Sequence, residues 1–222
     1  MEDKKRRLIE HLRRNISDVR VLDAMSRVPR ELFVPEDNRH LAYEDIPLPI
    51  GEDQTISQPL IVAMMDAALA LDSTDKVLEV GTGSGYQASV LSLLAGEVIT
   101  TERLPDLAGA ARERLASLGC SNVVVRPAGD VLGCPEEAPF DAIVVAAAAP
   151  RLPKVLLDQL ADGGRMVIPV GSLHQQELHS VQKDHDGYSV KSLGPCRFVP
   201  LIGPGAWDED DTRGSPNGPV FV

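Results

Sequence analysis

Hydrophobic residues recur with a helical period at the start of this chain. Leu8, Leu12 and Ile16 fall on one side of a helical repeat and predict an amphipathic helix. Ser17 is a candidate N-cap for a second helix. A third helix is predicted over 59–70, because PLIVAMMDAALA is apolar and begins with a proline, which favours a first helical turn. Helices are therefore expected to dominate the N-terminal part.

From Lys76 onwards, short apolar runs rich in β-branched residues alternate with helical segments. The predicted strands are 76–80, 97–101, 122–126, 141–146 and 165–170, and the predicted helices are 86–95, 105–118 and 153–161. This alternation indicates a parallel sheet with helices on both faces. The segments 177–183 and 187–193 flank Asp186-Gly187 and predict an antiparallel hairpin. The expected fold class is α/β, with a doubly wound, mostly parallel sheet, N-terminal helices and an antiparallel C-terminal hairpin.

The 222 residues are enough for one domain with a sizeable core. We expect this domain to span 1–206, with a helical N-terminal segment and a loop in 1–58 and the α/β core in 59–206. Residues 31–56 are rich in Pro and polar residues, a pattern typical of a long connection that serves as a binding loop. The acidic segment 207–222 contains Gly and Pro, so a flexible tail is expected there.

The amino-acid composition of the chain argues against several classes of binding partner. A net charge of −11 argues against nonspecific nucleic-acid binding. The basic N-terminus is interrupted by acids and lacks a long apolar segment, so it is not expected to be a secretory signal, and no apolar run is long enough for a membrane span. Cys120, Cys134 and Cys196 are isolated and odd in number, which predicts neither a disulfide framework nor a metal site. We expect a cytoplasmic monomer.

The sequence KVLEVGTGSGY carries the clearest candidate chemistry. A predicted strand runs directly into Gly81-x-Gly83-x-Gly85, and glycines there let the backbone turn sharply and approach a ligand with helix amides facing it. The spacing is not the dinucleotide fingerprint, because Tyr86 takes the sixth position. Glu79 would repel a phosphate but suits a ligand with positive charge and hydroxyls, such as S-adenosylmethionine. The alternative is a tight strand-to-helix connection without a ligand.

Further polar residues follow the other predicted strands, at the sheet edge where open α/β sheets bind ligands. Glu102, about 20 residues after the glycine loop, is placed to accept hydrogen bonds from ribose hydroxyls; alternatively it is a solvated charge paired with Arg103. Asp130 could bind an adenine amino group, although Gly129 and Asp130 also suit a simple turn. The small residues that begin at Ala146 either leave room for a substrate or serve packing.

Ser57 lies two residues before Pro59, at the predicted start of a helix. Its hydroxyl would ordinarily be interpreted as a helix cap. The functional alternative is a hydroxyl aimed at an acceptor substrate.

Several longer motifs occur together in a specific order. They are LPIGEDQTISQP, VLEVGTGSGYQASVL, TER, PFDAIVV, AAAP, GGRMVIPVG and RFVPL. In this order they resemble the protein-L-isoaspartate O-methyltransferases, over roughly residues 5–203. The resemblance implies a methyltransferase sheet, S-adenosylmethionine as donor and the α-carboxyl of an isoaspartyl residue, in a damaged protein or peptide, as acceptor. It also implies repair, because the methyl ester closes to a succinimide that hydrolyses partly to aspartate.

The resemblance assigns roles to matching residues. Ser57 takes the active-site serine position. The donor positions are Glu79, Gly81, Thr82, Gly83, Ser84 and Gly85, with Glu102 and Arg103 at the ribose and Asp130 and Val131 at the adenine. The acceptor positions are Thr55, Ile56, Ser57, Ala146, Arg197, Val199, Pro200 and Leu201.

Four positions depart from the family pattern. Asp53 stands where Gly is usual, and one extra charge at about 8 Å in a water-like medium would cost an acceptor carboxylate about 0.5 kcal/mol. Val131 and Leu132 replace a common Gly and aromatic residue, and Ala146 replaces a common Thr. Two alternatives stay open: a methyltransferase for aspartate side chains of a dedicated biosynthetic peptide, and a donor-binding protein that has lost turnover.

Overall fold

The structure, a computed structural model, describes residues 1–213. The helices are α1 (Glu2–Leu12), α2 (Val19–Arg27), α3 (Pro59–Leu69), α4 (Tyr86–Leu91), α5 (Pro105–Ser117), α6 (Lys154–Asp158) and α7 (Glu209–Arg213). The strands are β1 (Leu48–Gly51), β2 (Gln54–Ile56), β3 (Lys76–Val80), β4 (Glu97–Glu102), β5 (Val123–Pro127), β6 (Phe140–Val145), β7 (Leu160–Gly171), β8 (Gln176–Asp184) and β9 (Gly187–Cys196). None of these helices is long and apolar enough to cross a membrane.

Seven strands form the central sheet in the order β5-β4-β3-β6-β7-β8-β9. The pairs from β5 to β7 are parallel, whereas β7–β8 and β8–β9 are antiparallel. The strand order reverses between β3 and β6, which creates the crevice where doubly wound sheets bind ligands. The predicted fold class, including the C-terminal hairpin, is confirmed.

The two faces of the sheet bury separate apolar clusters. In β3, Val77 belongs to one cluster and Leu78 to the other, since successive side chains of a strand point to opposite faces. The first cluster includes Leu12 and Leu22 of the N-terminal helices, and the second includes Leu156 of α6. The sheet is therefore covered on both sides, which explains why its central strands are apolar without alternation.

The cap of α2 differs from the prediction. Asp18, not Ser17, is the N-cap, and its carboxylate accepts a 2.9 Å hydrogen bond from the Arg20 amide. Both residue types cap helices well, so the sequence did not separate these neighbours.

The connection 31–56 is more ordered than its sequence predicts. A short 3-10 helix, Arg30–Phe33, overlaps its start, and a second one, Glu36–Leu41, and the antiparallel β1–β2 hairpin lie within it. The hairpin was missed because its turn uses Glu52 and Asp53 at positive φ (51° and 54°), where asparagine and glycine are the usual signals.

The helix predicted over 153–161 ends early. α6 stops at Asp158, and Leu160 already belongs to β7. The Gln159 carbonyl accepts a 2.9 Å hydrogen bond from the Phe140 amide, so the chain enters the sheet there.

The acidic segment is only partly within the described residues. The Trp207 amide donates a 3.0 Å hydrogen bond to the Leu201 carbonyl, and α7 follows. Residues 214–222 lie outside the described residues, and the flexibility of the tail stays a prediction.

Candidate active site

An open cleft lies at the carboxyl ends of β3, β4 and β6, at the reversal of strand order. Its volume is about 1040 Å³ with the open space at its mouth included. The predicted donor residues that line it are Glu79, Gly81, Thr82, Gly83, Ser84, Glu102, Arg103 and Val131. The predicted acceptor residues that line it are Thr55, Ile56, Ser57, Ala146, Val199, Pro200 and Leu201. Both predicted sets therefore face one space.

The glycine loop joins β3 to α4 through a backbone that favours glycine. Gly81, Gly83 and Gly85 have φ angles of 97°, 51° and 86°, in the left-handed region. Gly85 does not line the cleft: a Cβ there would lie 3.4 Å from the Ala111 Cβ of α5. The first two glycines thus expose the loop backbone to the cleft, while the third lets the loop pack against α5.

Glu102 is held by backbone amides at the end of β4. Its carboxylate accepts hydrogen bonds from the Gly83 amide at 2.8 Å and the Leu104 amide at 3.0 Å. Arg103 pairs instead with Glu209, at 3.2 Å, so the structure does not support a solvated Glu102–Arg103 pair. Because a carboxylate oxygen accepts more than one hydrogen bond, Glu102 retains capacity for ligand hydroxyls.

Glu79 is fully buried beneath the cleft. Its Oε2 accepts a hydrogen bond from the Thr100 hydroxyl, which lies 2.6 Å from the Thr82 hydroxyl. Among residues 1–213, its Oε1 has no hydrogen-bond partner. Burial raises the pKa of Glu79 to about 8. A bound cation would favour the charged form of this carboxyl group and lower its pKa.

A second buried acid, Asp66 of α3, was missed by the sequence interpretation. Its Oδ1 accepts a 2.8 Å hydrogen bond from the Gln87 side chain, and Gln87 lines the cleft. Burial raises the pKa of Asp66 to about 7, and its Oδ2 has no partner within the described part of the chain. The available signal was a single acid in the otherwise apolar sequence PLIVAMMDAALA.

Ser57 follows β2 and presents its hydroxyl without a hydrogen-bond partner among residues 1–213. The helix-cap alternative is not supported, because Gln58 is the N-cap of α3 and no side chain caps from that position. The capping oxygen comes from Asp45, which accepts a 2.8 Å hydrogen bond from the Leu60 amide. The Ser57 carbonyl accepts a 2.7 Å hydrogen bond from Arg30.

The opposite wall of the acceptor side is a segment after β9. Ala148 donates from its amide to the Val199 carbonyl and accepts from the Leu201 amide, each at 2.8 Å. These bonds hold the wall beside the end of β6. Ala146 directly follows β6, and its Cβ lies 3.5 Å from the position of a Cβ added at Gly81. Small side chains at both positions therefore keep the cleft open.

Besides Gly85, two further predicted site residues do not line the cleft. Asp130 and Arg197 are exposed, although Gly129 and Val131 beside Asp130 are lining residues. Their adenine and acceptor roles stay predictions. Lining residues to which the sequence interpretation gave no site role are Gln54, Val62, Val80, Tyr86, Gln87, Thr101, Leu104, Ala128, Gly129, Leu132, Gly133, Ala147, Ile202, Gly203 and Pro204. The described residues contain no group of three or more His, Cys, Asp or Glu suited to a metal ion.

Comparison with known proteins matches nearly the whole chain. The family profile of protein-L-isoaspartate(D-aspartate) O-methyltransferase matches residues 3–205, a range that contains every predicted site residue. The protein-L-isoaspartate O-methyltransferase 1 of Syntrophobacter fumaroxidans is 53% identical over 195 residues, which cover 88% of this chain and 91% of that protein.

Solved structures agree with the sequence match. A protein-L-isoaspartate O-methyltransferase superposes with a TM-score of 0.82 at 28% identity, covering 91% of this chain and 67% of that one. A Plasmodium falciparum protein described as a beta-aspartate methyltransferase, solved with S-adenosyl-L-homocysteine, gives 0.77 at 28% identity, covering 89% of this chain and 97% of that one.

Proposed function

The chain belongs to the protein-L-isoaspartate(D-aspartate) O-methyltransferase family, and we propose that the cleft described above is where it carries out the family's reaction. The enzyme transfers a methyl group from S-adenosylmethionine to the α-carboxyl of L-isoaspartyl residues in proteins and peptides. The ester then closes to a succinimide, whose hydrolysis returns part of the material to aspartate. The observation that supports the site is that the unpartnered Ser57 hydroxyl lines the same cleft as Glu79 and Glu102.

The donor side of the cleft fits S-adenosylmethionine. Glu79 keeps one buried carboxylate oxygen without a partner, which suits the positive charge of the donor. Glu102 is fixed by two amides and has acceptor capacity for ribose hydroxyls. We assign donor binding to these carboxylates and to the exposed backbone of Gly81 and Gly83.

The acceptor needs orientation rather than activation. When bound, S-adenosylmethionine supplies an electrophilic methyl group, which an ionised carboxylate can take without a general base. Ser57 donates a hydrogen bond that orients this carboxylate, while Ile56, Val199 and Leu201 exclude water around it. Holding two reactants in line and removing water can lower the activation barrier by several kcal/mol. Ser57 is thus an orienting residue, not a nucleophile.

The alternative substrate, an aspartate side chain of a dedicated biosynthetic peptide, has no support in the matches reported above. The relatives carry the name of the isoaspartate enzyme. The exposed Asp53 at the hairpin tip is a departure that the proposed reaction tolerates, since its expected cost is only about 0.5 kcal/mol.

We further propose that the enzyme acts as a cytoplasmic monomer on isoaspartyl-containing proteins, without a membrane or nucleic-acid partner. The net charge of −11 and three free cysteines support this setting. We also propose that 1–206 forms one domain, with 1–58 supplying the acceptor loop and 59–206 the donor core. A dimer mass measured by light scattering on the purified chain would contradict the proposed monomer. Independent unfolding of 1–58 would contradict the proposed single domain.

The deciding experiment compares two peptides that differ only in one isoaspartate or aspartate. Transfer of base-labile label from S-adenosylmethionine to the isoaspartyl peptide alone is expected. Transfer to the aspartyl peptide would favour the alternative substrate. Donor binding by calorimetry without transfer to either peptide would favour a protein that has lost turnover.

A further inference from the structure

Arg30 is a fully buried cation whose contacts the proposed chemistry does not use. It begins the 3-10 helix Arg30–Phe33, and burial lowers the pKa of its guanidinium. Its Nη2 donates the 2.7 Å hydrogen bond to the Ser57 carbonyl. Among the described residues, its Nε and Nη1 have no hydrogen-bond partner, and the Asp45 carboxylate acts on it electrostatically without forming an ion pair.

A cation buried in this way would lower the stability of the fold if its role were purely structural. A buried charge without an ion-pair partner carries a large desolvation cost, and apolar residues of similar volume often stabilise a core better. The compensation here is one hydrogen bond, the charge of Asp45 and the face of Tyr86, whose ring centroid lies 4.6 Å from the guanidinium carbon. The hydrogen bond and the ring contact are both to residues that line the cleft.

The contacts continue to the donor loop. Phe33 meets Tyr86 edge to face at 5.4 Å, and the Arg114 guanidinium lies 5.6 Å from the Phe33 ring. Arg114 then donates a 2.6 Å hydrogen bond to the Ser84 carbonyl in the glycine loop. Arg30, Tyr86, Phe33 and Arg114, which we call the arginine–aromatic brace, thus join the carbonyl of the acceptor serine to a carbonyl of the donor loop.

We propose that Arg30 is a positioning residue that, through this brace, fixes the position of the Ser57 segment relative to the donor loop. The inference rests on the proposed function for its kinetic consequence. Ser57 follows a short hairpin, and its carbonyl bond to Arg30 ties it to the core. In-line transfer is sensitive to displacement, since a shift of about 1 Å can cost on the order of 100-fold in rate.

The test compares Arg30→Met and Arg30→Lys with a control, Arg165→Met. Arg165 also donates to backbone carbonyls, those of Leu69 and Ala70 at 2.6 and 3.0 Å, and in addition pairs with Asp75 at 2.5 Å. It lies where β7 pairs with the start of β6, away from the cleft. We expect Arg30→Met to lower kcat/KM for the isoaspartyl peptide at least about tenfold, with donor affinity changed less than about threefold. Arg30→Lys should recover part of the loss, because it keeps a donor.

Hydrogen exchange separates this inference from the proposed function. Peptides covering 52–58 should exchange faster in Arg30→Met than in wild type or Arg165→Met, whether or not methyl transfer is detected. If Arg30→Met does not fold, Phe33→Leu interrupts the brace with Arg30 in place and should move both readouts in the same direction. Unchanged exchange of 52–58, or equal kinetic losses in Arg30→Met and Arg165→Met, would overturn the proposal. Absence of transfer by the wild type would refute the proposed function instead.

Discussion

The proposed donor and acceptor sides of the cleft are built in different ways. On the donor side, Glu79 and Glu102 end adjacent strands, are buried, and are held by local hydroxyl or amide donors. On the acceptor side, Ser57 follows an N-terminal hairpin while Leu201 comes from beyond the last strand of the sheet. The hydroxyl of Ser57 has no partner among the described residues, in contrast to the acids. One side is thus pre-organised by the sheet, and the other depends on segments distant in sequence.

This difference implies separable functions. A change on the donor side should alter the donor affinity, because the Gly83 amide of the glycine loop is bonded to the Glu102 carboxylate and the two move together. A change on the acceptor side should alter the kinetics of the peptide and leave the donor affinity intact. The variants below test that separation.

Glu102→Ala should have the largest effect. It removes the acceptor of the Gly83 and Leu104 amides and the proposed ribose contacts, and each hydrogen bond to a charged group is worth about 1.5–3 kcal/mol. We expect donor affinity, measured by calorimetry, to fall about 100-fold or more. Glu97→Ala, at the exposed opposite end of β4, is the control and should bind normally. Unaltered donor affinity in Glu102→Ala would contradict the assignment of Glu102 to ribose binding.

Ser57→Ala should act on the other side alone. Loss of one hydrogen bond to a carboxylate predicts a drop of about 10- to 100-fold in kcat/KM for the peptide, with donor affinity unchanged. Ser117→Ala, an exposed serine at the end of α5, provides the control. Full turnover in Ser57→Ala would contradict the orienting role.

The buried acids of the donor side should make stability depend on pH. Burial raises the pKa of Glu79 from 4.5 to about 8 and that of Asp66 from 3.8 to about 7. The folded state therefore holds protons that the unfolded chain releases, so this contribution is fully present below pH 4 and is lost as pH rises towards 8.

The slope is at most about 1.4 kcal/mol per pH unit for each acid. Urea unfolding between pH 5 and 8 should show a decline that Glu79→Gln and Asp66→Asn each reduce. Glu97→Gln, an exposed acid, should keep the wild-type slope. Identical slopes in all four proteins would mean that the two acids are not protonated in the folded state.

Asp53→Asn should have the smallest effect. It removes one charge at the hairpin tip and keeps a residue type that tolerates the positive φ of 54°. A change of about 0.5 kcal/mol predicts a roughly twofold lower KM for the peptide, and the difference should vanish at high salt. A twofold gain that persists in 1 M salt would point to hairpin geometry instead of charge.

The sequence alone predicted most of the residues that line the proposed donor side of the cleft. The strand before Gly81 and the acid Glu102 could be placed because the carboxyl ends of neighbouring parallel strands share one edge of a sheet. Chain order and apolar runs therefore carried nearly all the information for this half of the site. The resemblance in motifs added Ser57 and the identity of the acceptor.

Contacts between residues far apart in sequence follow from tertiary packing and could not be predicted. Arg30 reaches Ser57, and Asp66 reaches Gln87, through packing between segments that no local pattern links. Burial, which raises the pKa of Asp66, is likewise a property of the assembled core. Periodicity reports which face of an element is apolar, but not which distant side chain will lie against it. For that reason the sheet edge could be predicted from sequence, and the brace behind the acceptor serine could not.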